Sequence, residues 1–485
     1  MKQKIKQILC ILLACQLFII TAWAKPTWPA DTGIQAEAGI VMDAESGAVL
    51  FGQGIHETYP PASITKILTA LIVLEHSSLD ETVTFSETAM MSVESDSGNK
   101  LSLVAGDQMS VEDCLYSLLL ISVNQAANAL AEHVAGSIPE FVDMMNAKLE
   151  ELGCVESHFD NPSGLNGDTQ YVSAYDMALI AQAAYKNETL LKINSTLTHT
   201  IAPTTNNPDG VSFRTEHRLL YTDDPSSPFY FPAAVAGKTG YLLKAGNTLV
   251  TYAESDGRKI ISVILKGQQG QTRQYFLDGK ELLDFGFRSF QNLNIADNES
   301  RYVTGDETLS LDTGQFKASD LVIEPGRVLT LPKNASFADA DLSLEELPAH
   351  HPDNAVALLK YTYDERTIGT AYLLAKDGVQ VNGTLADVPP EDPSDTANPD
   401  STPSSSDDAL KHTGSRSLAP VLIALLVILL VGLAAGGVAW ISYSRKKEAE
   451  ALARRRERRR QRLQQSGDSE EFERLLEEMK KKRGQ

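Results

Sequence analysis

An α+β fold is predicted for this chain: a mixed sheet with helices over residues 25–290, a small all-β domain over residues 291–388, and a C-terminal transmembrane helix over residues 418–441. Three observations predict it. Strand signals at both ends of the first segment enclose amphipathic helices, which suggests one sheet. Past Gln291 the helical period fades into short alternating runs. Further on, a long apolar stretch is followed at once by arginines and lysines.

In chain order, Ile40-Val41-Met42 and Val49-Leu50-Phe51 flank the turn Asp43-Ala44-Glu45-Ser46-Gly47, a hairpin signature. Ile67, Ala70, Leu71 and Leu74 fall on one helical face; so do Leu115, Leu118 and Leu119, and then Ala126, Ala127, Leu130 and Val134. Residues 248–252 and 260–265 form a strand pair through Asp256-Gly257, a strong hairpin turn. In the β-rich part, Leu359, Tyr361 and Tyr363 alternate, and Ile368-Gly369-Thr370-Ala371-Tyr372-Leu373 follows beyond Asp364-Glu365-Arg366. Residues 389–416, dense in Pro, Ser, Thr and Asp, bury too little apolar surface to fold and read as a spacer.

The chain ends place the body outside a membrane. Lys2, Lys4 and Lys6 precede an apolar run over residues 8–20, and Ala22-Trp23-Ala24 supplies the small alternate residues of a cleavage site, so residues 1–24 read as a signal peptide. Leu12-Leu13-Ala14-Cys15 resembles a lipobox, but Leu17, Phe18, Ile19 and Ile20 carry the apolar run past the cysteine, against lipidation. Residues 418–441 are long enough to span the hydrocarbon core. Arg445-Lys446-Lys447 and Arg454-Arg455-Arg456 behind them keep the basic tail, residues 442–485, in the cytoplasm. Anionic lipid contact accounts for its arginines, and no tail partner is assigned.

The chain has 43 basic against 64 acidic residues. Because the tail is basic, the acidic excess falls on the exported body, which argues against a nucleic-acid partner. Outside the signal only Cys114 and Cys154 remain, too few for a disulfide scaffold and without zinc-site spacing; two buried thiols are expected, with one bridge the alternative.

Three short runs carry chemistry: Ser63-Ile64-Thr65-Lys66, Ser122-Val123-Asn124 and Lys238-Thr239-Gly240. Their order is that of a serine acyl-transfer site whose base is lysine. Ser63 follows Pro60-Pro61-Ala62 and opens an apolar helix, so Lys66 lies one turn on along the same face. A lysine in a dry pocket loses its proton near neutral pH and can act as base toward the serine. Ser97-Gly98-Asn99-Lys100 repeats the first two patterns but lies among charges and reads as a solvated loop; Ser444-Arg445-Lys446-Lys447 falls in the tail. Ser122 and Asn124 sit at an inter-helix corner facing a cleft, or merely cap helices. Lys238 and Thr239 at a sheet edge can hold a substrate carboxylate, with Gly240 letting backbone approach; a turn with a solvated lysine is the bland alternative.

Pro61-Ala62-Ser63-Ile64-Thr65-Lys66, Ala105-Gly106-Asp107, Asn161-Pro162-Ser163-Gly164-Leu165, Ala174-Tyr175-Asp176-Met177-Ala178 and Gly237-Lys238-Thr239-Gly240-Tyr241 together give a resemblance, over about residues 33–390, to the D-alanyl-D-alanine carboxypeptidases among the low-molecular-mass penicillin-binding proteins. The resemblance implies a β-lactamase/transpeptidase-like catalytic domain, peptidoglycan stem peptides and β-lactams as partners, a membrane attachment, and neither metal nor cofactor. It implies that Ser63 is the nucleophile, Lys66 its base and Ser122 the proton carrier to the leaving amine. Asn124 would bind the substrate backbone, Lys238 set the field, and Thr239 hold the carboxylate. Backbone N–H groups of Ser63 and Tyr241 would form the oxyanion hole. Arg273 resembles a family arginine near the carboxylate, or is a surface charge. Three departures stand out: Val123 and Gln125 in the second motif, and Gln170 where a histidine is common. The rivals are a class A-like β-lactamase, whose glutamate-bearing loop would fall in residues 154–167, and a membrane sensor that acylates and signals.

Overall fold

The two hairpins read from the sequence lie side by side in one sheet. Its strands are β1 (Ala38–Asp43), β2 (Val49–Gln53), β3 (Ala234–Leu242), β4 (Gly246–Ser255) and β5 (Arg258–Gly267), in the order β2-β1-β5-β4-β3. A computed structural model describes residues 25–381 apart from 31–32, 95–96, 269–272 and 349. The segments assigned to signal, spacer, membrane helix and tail lie outside the described residues; among those described, no helix is long and apolar enough to cross a membrane.

The sheet corrects one expectation: it is antiparallel throughout rather than mixed. Tight turns leave only antiparallel neighbours within each hairpin, and the hairpins meet with Ala38 opposite Leu265 and Asp43 opposite Ile260, again in opposite senses. Asp256 and Gly257, at φ +50° and +74°, make the left-handed turn that joins β4 to β5.

Both faces of this sheet are covered, which explains the nearly unbroken apolar runs in β1 and β5. Ile40, Met42, Ile261, Val263 and Leu265 enter the larger hydrophobic cluster with the helices. Those helices are α1 (Lys66–His76), α2 (Val111–Leu120), α3 (Asn124–Ala135), α4 (Ile138–Glu151), α5 (Ala174–Lys186) and α6 (Glu188–Ser195). Alternate residues Val41, Ile260 and Ile264 point the other way and pack with Leu282, Leu283 and Phe285 of α7 (Gln274–Ser289). Cys114 and Cys154 are buried free thiols.

Beyond α7 comes β-rich structure: β6 (Phe290–Asn294), β7 (Leu321–Ile323), β8 (Val328–Pro332), β9 (Asp341–Glu345), β10 (Ala355–Tyr363) and β11 (Arg366–Ala375). Four of these make an antiparallel sheet, β7-β11-β10-β9, and β6 pairs with β8. The alternation seen at Leu359, Tyr361 and Tyr363 marks the buried side of β10, within a third hydrophobic cluster that also takes Ile368 and Leu373. This part is not purely β, since a four-residue helix spans Ile295–Asn298.

Edge strand β3 carries the third motif, and its free edge is not left to solvent. Asn194, fully buried at the end of α6, donates Nδ2–H to the Gly237 carbonyl and accepts the Gly237 N–H, both at 3.0 Å, while Tyr185 donates to the same amide oxygen at 2.9 Å. A side-chain amide thus does at Gly237 what a neighbour strand would do. Asn194→Ala leaves three polar groups buried without partners, and urea unfolding should show a loss of about 2–4 kcal/mol of stability.

Candidate active site

Pro60-Pro61 ends an extended stretch and delivers the chain into a 3₁₀ turn, Ala62–Thr65, that runs directly into α1. Thr248 of β4 donates Oγ1–H to the Pro61 carbonyl at 2.9 Å and pins this turn to the sheet. Ser63 therefore sits in the turn before the helix, and Lys66 is the first residue of α1.

Lys66 is fully buried. Its Nζ lies 3.0 Å from Ser63 Oγ and 2.8 Å from Asn124 Oδ1, and it also contacts the Ser163 carbonyl oxygen. Two of these three neighbours can only accept. A neutral amine has two N–H bonds for those two acceptors and one lone pair, which is left for the Ser63 hydroxyl proton. Burial is the largest cause holding the Lys66 pKa well below 10.5; the Lys238 and Lys100 cations add to it, and Glu216 opposes. The arrangement suits a lysine that accepts a proton from the serine.

The Ser163 carbonyl is presented by a braced loop. Asn161 Oδ1 accepts from Ser163 Oγ at 3.0 Å and from the Gly164 N–H at 2.8 Å, and Thr69 donates to the Pro162 carbonyl at 2.7 Å. Gly164 has φ +79°, and a Cβ there would lie 2.0 Å from the Ala62 carbonyl oxygen, so only glycine lets the loop close on the serine turn. Gln170 braces the same loop, donating to the Leu165 carbonyl at 2.7 Å and accepting from the Asp160 and Asn161 N–H groups.

Ser122 follows the end of α2 with φ +64°, in the left-handed region where helices usually end on glycine. For serine this conformation costs about 1–2 kcal/mol. Neither Ser122 nor Asn124 caps a helix: the N-cap of α3 is Val123, without a side-chain cap bond. Val123 is buried, its N–H bonded to the Ser117 carbonyl at 3.1 Å, and Gln125 donates to the Gly98 carbonyl at 3.0 Å.

On β3, Lys238 is only 1% exposed and donates to the Thr239 carbonyl at 2.8 Å. Burial brings its pKa down to about 8, with Glu216 opposing and Lys100 adding to the shift. A Cβ on Gly240 would lie 2.9 Å from Ser63 N and 2.3 Å from Thr248 Oγ1, so glycine is what lets the strand approach the nucleophile. Ser63, Ser122, Asn124, Thr239, Gly240 and Tyr241 all line one cleft of about 790 Å³. His217 is no competing base: it is buried with Nε2 against the Val250 carbonyl and Thr251 Oγ1, and burial brings it down to about 3.

Two expectations change. Arg273 is exposed at the N-cap of α7 and is not among the residues lining the cleft, although Tyr275 is. The loop read as solvated is exposed at Gly98, Asn99 and Lys100 but also borders the cleft: Ser97 and Lys100 line it, and Lys100 Nζ donates to the Ile121 carbonyl at 2.6 Å and to Glu216 Oε1 at 2.5 Å. Sequence reasoning missed Glu216, Lys100 in this role, and the Ser163 carbonyl. A pair 116 residues apart leaves no local pattern, and a backbone acceptor has no side-chain signature.

Fold and site together define a serine acyl-transfer enzyme with a buried lysine beside its nucleophile. The chain belongs to the D-alanyl-D-alanine carboxypeptidase family, whose model matches residues 25–269, and is a serine-type peptidase of that family. It is 30% identical over 260 residues to the D-alanyl-D-alanine carboxypeptidase DacF of Bacillus subtilis, covering 53% of this chain and 63% of that one. To DacA of Escherichia coli it is 31% identical over 299 residues, covering 58% and 69%. Penicillin-binding protein 5 of Haemophilus influenzae shares the fold, with a TM-score of 0.58 and 24% identity over 72% of this chain and 98% of that one.

Proposed function

We propose that this protein removes the terminal D-alanine from peptidoglycan stem pentapeptides through an acyl-enzyme on Ser63, and that penicillin acylates the same hydroxyl. The observation that carries this is Lys66, buried with two carbonyl acceptors and the Ser63 hydroxyl as its neighbours. Ser63 Oγ attacks the carbonyl between the two D-alanines as Lys66 Nζ takes its proton. Backbone N–H groups of Ser63 and Tyr241 hold the oxyanion. Ser122 passes the proton to the leaving amine, the C–N bond breaks, and D-alanine departs; water then releases the acyl group from Ser63. Thr239 receives the terminal carboxylate within the field of the Lys238 ammonium, and the Asn124 amide is divided between Lys66 and the substrate backbone.

Residues 154–167 support this reading over a class A-like β-lactamase. That stretch brings the Ser163 carbonyl to Lys66, while its one glutamate, Glu156, pairs with His56 at 3.0 Å. The signal-like start, the apolar run at 418–441 and the basic residues behind it support placing the enzyme on the outer face of the cell membrane, held by a single C-terminal span.

Product analysis of the full chain on monomeric pentapeptide and on cross-linked muropeptides tests the activity. D-alanine release from the monomer, abolished in Ser63→Ala, is expected; cleavage confined to cross-links would make it an endopeptidase. The pH profile follows from Lys238. As pH rises through about 8 its ammonium loses the charge that attracts the substrate carboxylate, so kcat/KM falls on the alkaline side, and Lys238→Arg removes that fall.

A further inference from the structure

We propose that Lys100, with Glu216 as its counter-charge, is a positioning residue for Ser122: it fixes the left-handed corner from which the serine hydroxyl reaches the cleft. The inference rests on the acyl-transfer reading above. The last carbonyls of a helix have no partners within the helix, and glycine at the following position usually resolves this by turning left-handed without strain. Here the following position must carry a hydroxyl. Two segments remote in sequence supply what the missing glycine does not. Lys100 Nζ takes the Ile121 carbonyl at 2.6 Å, and the Glu216 backbone N–H takes the Leu120 carbonyl at 2.9 Å.

The Glu216 carboxylate closes the arrangement by holding Lys100 Nζ at 2.5 Å, so the same two residues clasp each other and the end of α2. Gln125 adds a third tie, from the start of α3 to Gly98 in the segment that carries Lys100. The ion pair is itself over 40% exposed on both sides, so it adds little to global stability. Its effect is local, because Ile121 is the residue directly before Ser122 and the Ile121 carbonyl belongs to the peptide plane that orients the serine. A cation at a helix C-terminus is also favoured by the helix dipole.

The role separates Lys100 from a substrate-binding lysine, since its positioning effect should run through Ser122, while Lys100→Arg keeps the charge that helps lower the Lys66 and Lys238 pKa values. Acylation of the full chain by a fluorescent penicillin, and D-alanine release from a pentapeptide, are measured for wild type, Lys100→Met, Lys100→Arg and both backgrounds of Ser122→Ala. Lys100→Met should lower the acylation rate constant and kcat by on the order of ten- to a hundredfold with little change in KM or Tm. Lys100→Arg, which keeps a donor and a charge, should recover most of the loss. In the Ser122→Ala background, Lys100→Met should change the rate by no more than about twofold. A raised KM at unchanged kcat, or the same loss with Ser122 absent, would overturn the positioning role. Wild type no faster than Ser63→Ala would instead overturn the functional reading itself.

Discussion

Everything in this site depends on keeping one lysine out of water without giving it a carboxylate. Lys66 is fully buried, and its three close partners are two carbonyl oxygens and a hydroxyl. An anion in their place would hold the proton on the amine and remove its basicity. Carbonyls satisfy the N–H bonds and leave the charge unfavourable. The second buried lysine, Lys238, extends the same logic: its charge makes Lys66 easier to deprotonate, and its own pKa is lowered chiefly by burial.

The surrounding fold can be understood as what brings those partners together. Ser63 and Lys66 come from a 3₁₀ turn and the first residue of α1, Asn124 from the start of α3, and the Ser163 carbonyl from the loop before α5. The sheet contributes twice, through Thr248 on the Pro61 carbonyl and through Gly240 against the serine turn. On the outer edge of β3, Asn194 satisfies both backbone groups of Gly237. Strain is accepted where the chemistry needs a side chain, at Ser122, and avoided by glycine where it does not, at Gly164.

Much of this was legible in the sequence, and for physical reasons. The hairpin strands show because residues facing two packed layers are apolar at every step, and Asp256-Gly257 shows because few other pairs tolerate two positive φ angles. Ser63 and Lys66 are legible because three residues make nearly one helical turn. Less legible was how the hairpins meet, since strand direction across β1 and β5 depends on chain returning from more than 200 residues away. Lys100 shows the limit most clearly: among charged neighbours it had every mark of a solvated loop, and only its pairing with Glu216 and the Ile121 carbonyl places it beside Ser122. Gln125 and Gln170, noted as departures from the family pattern, turned out to brace loops of the site.

Catalysis of this kind requires Lys66 to be an amine rather than an ammonium when it meets Ser63. An NMR titration of the full chain with ¹³Cε-labelled lysine, assigned by Lys66→Arg, measures this directly. A midpoint for Lys66 well below 10.5 is expected. A midpoint at or above 10.5, with Lys66 protonated wherever the enzyme is active, would contradict it.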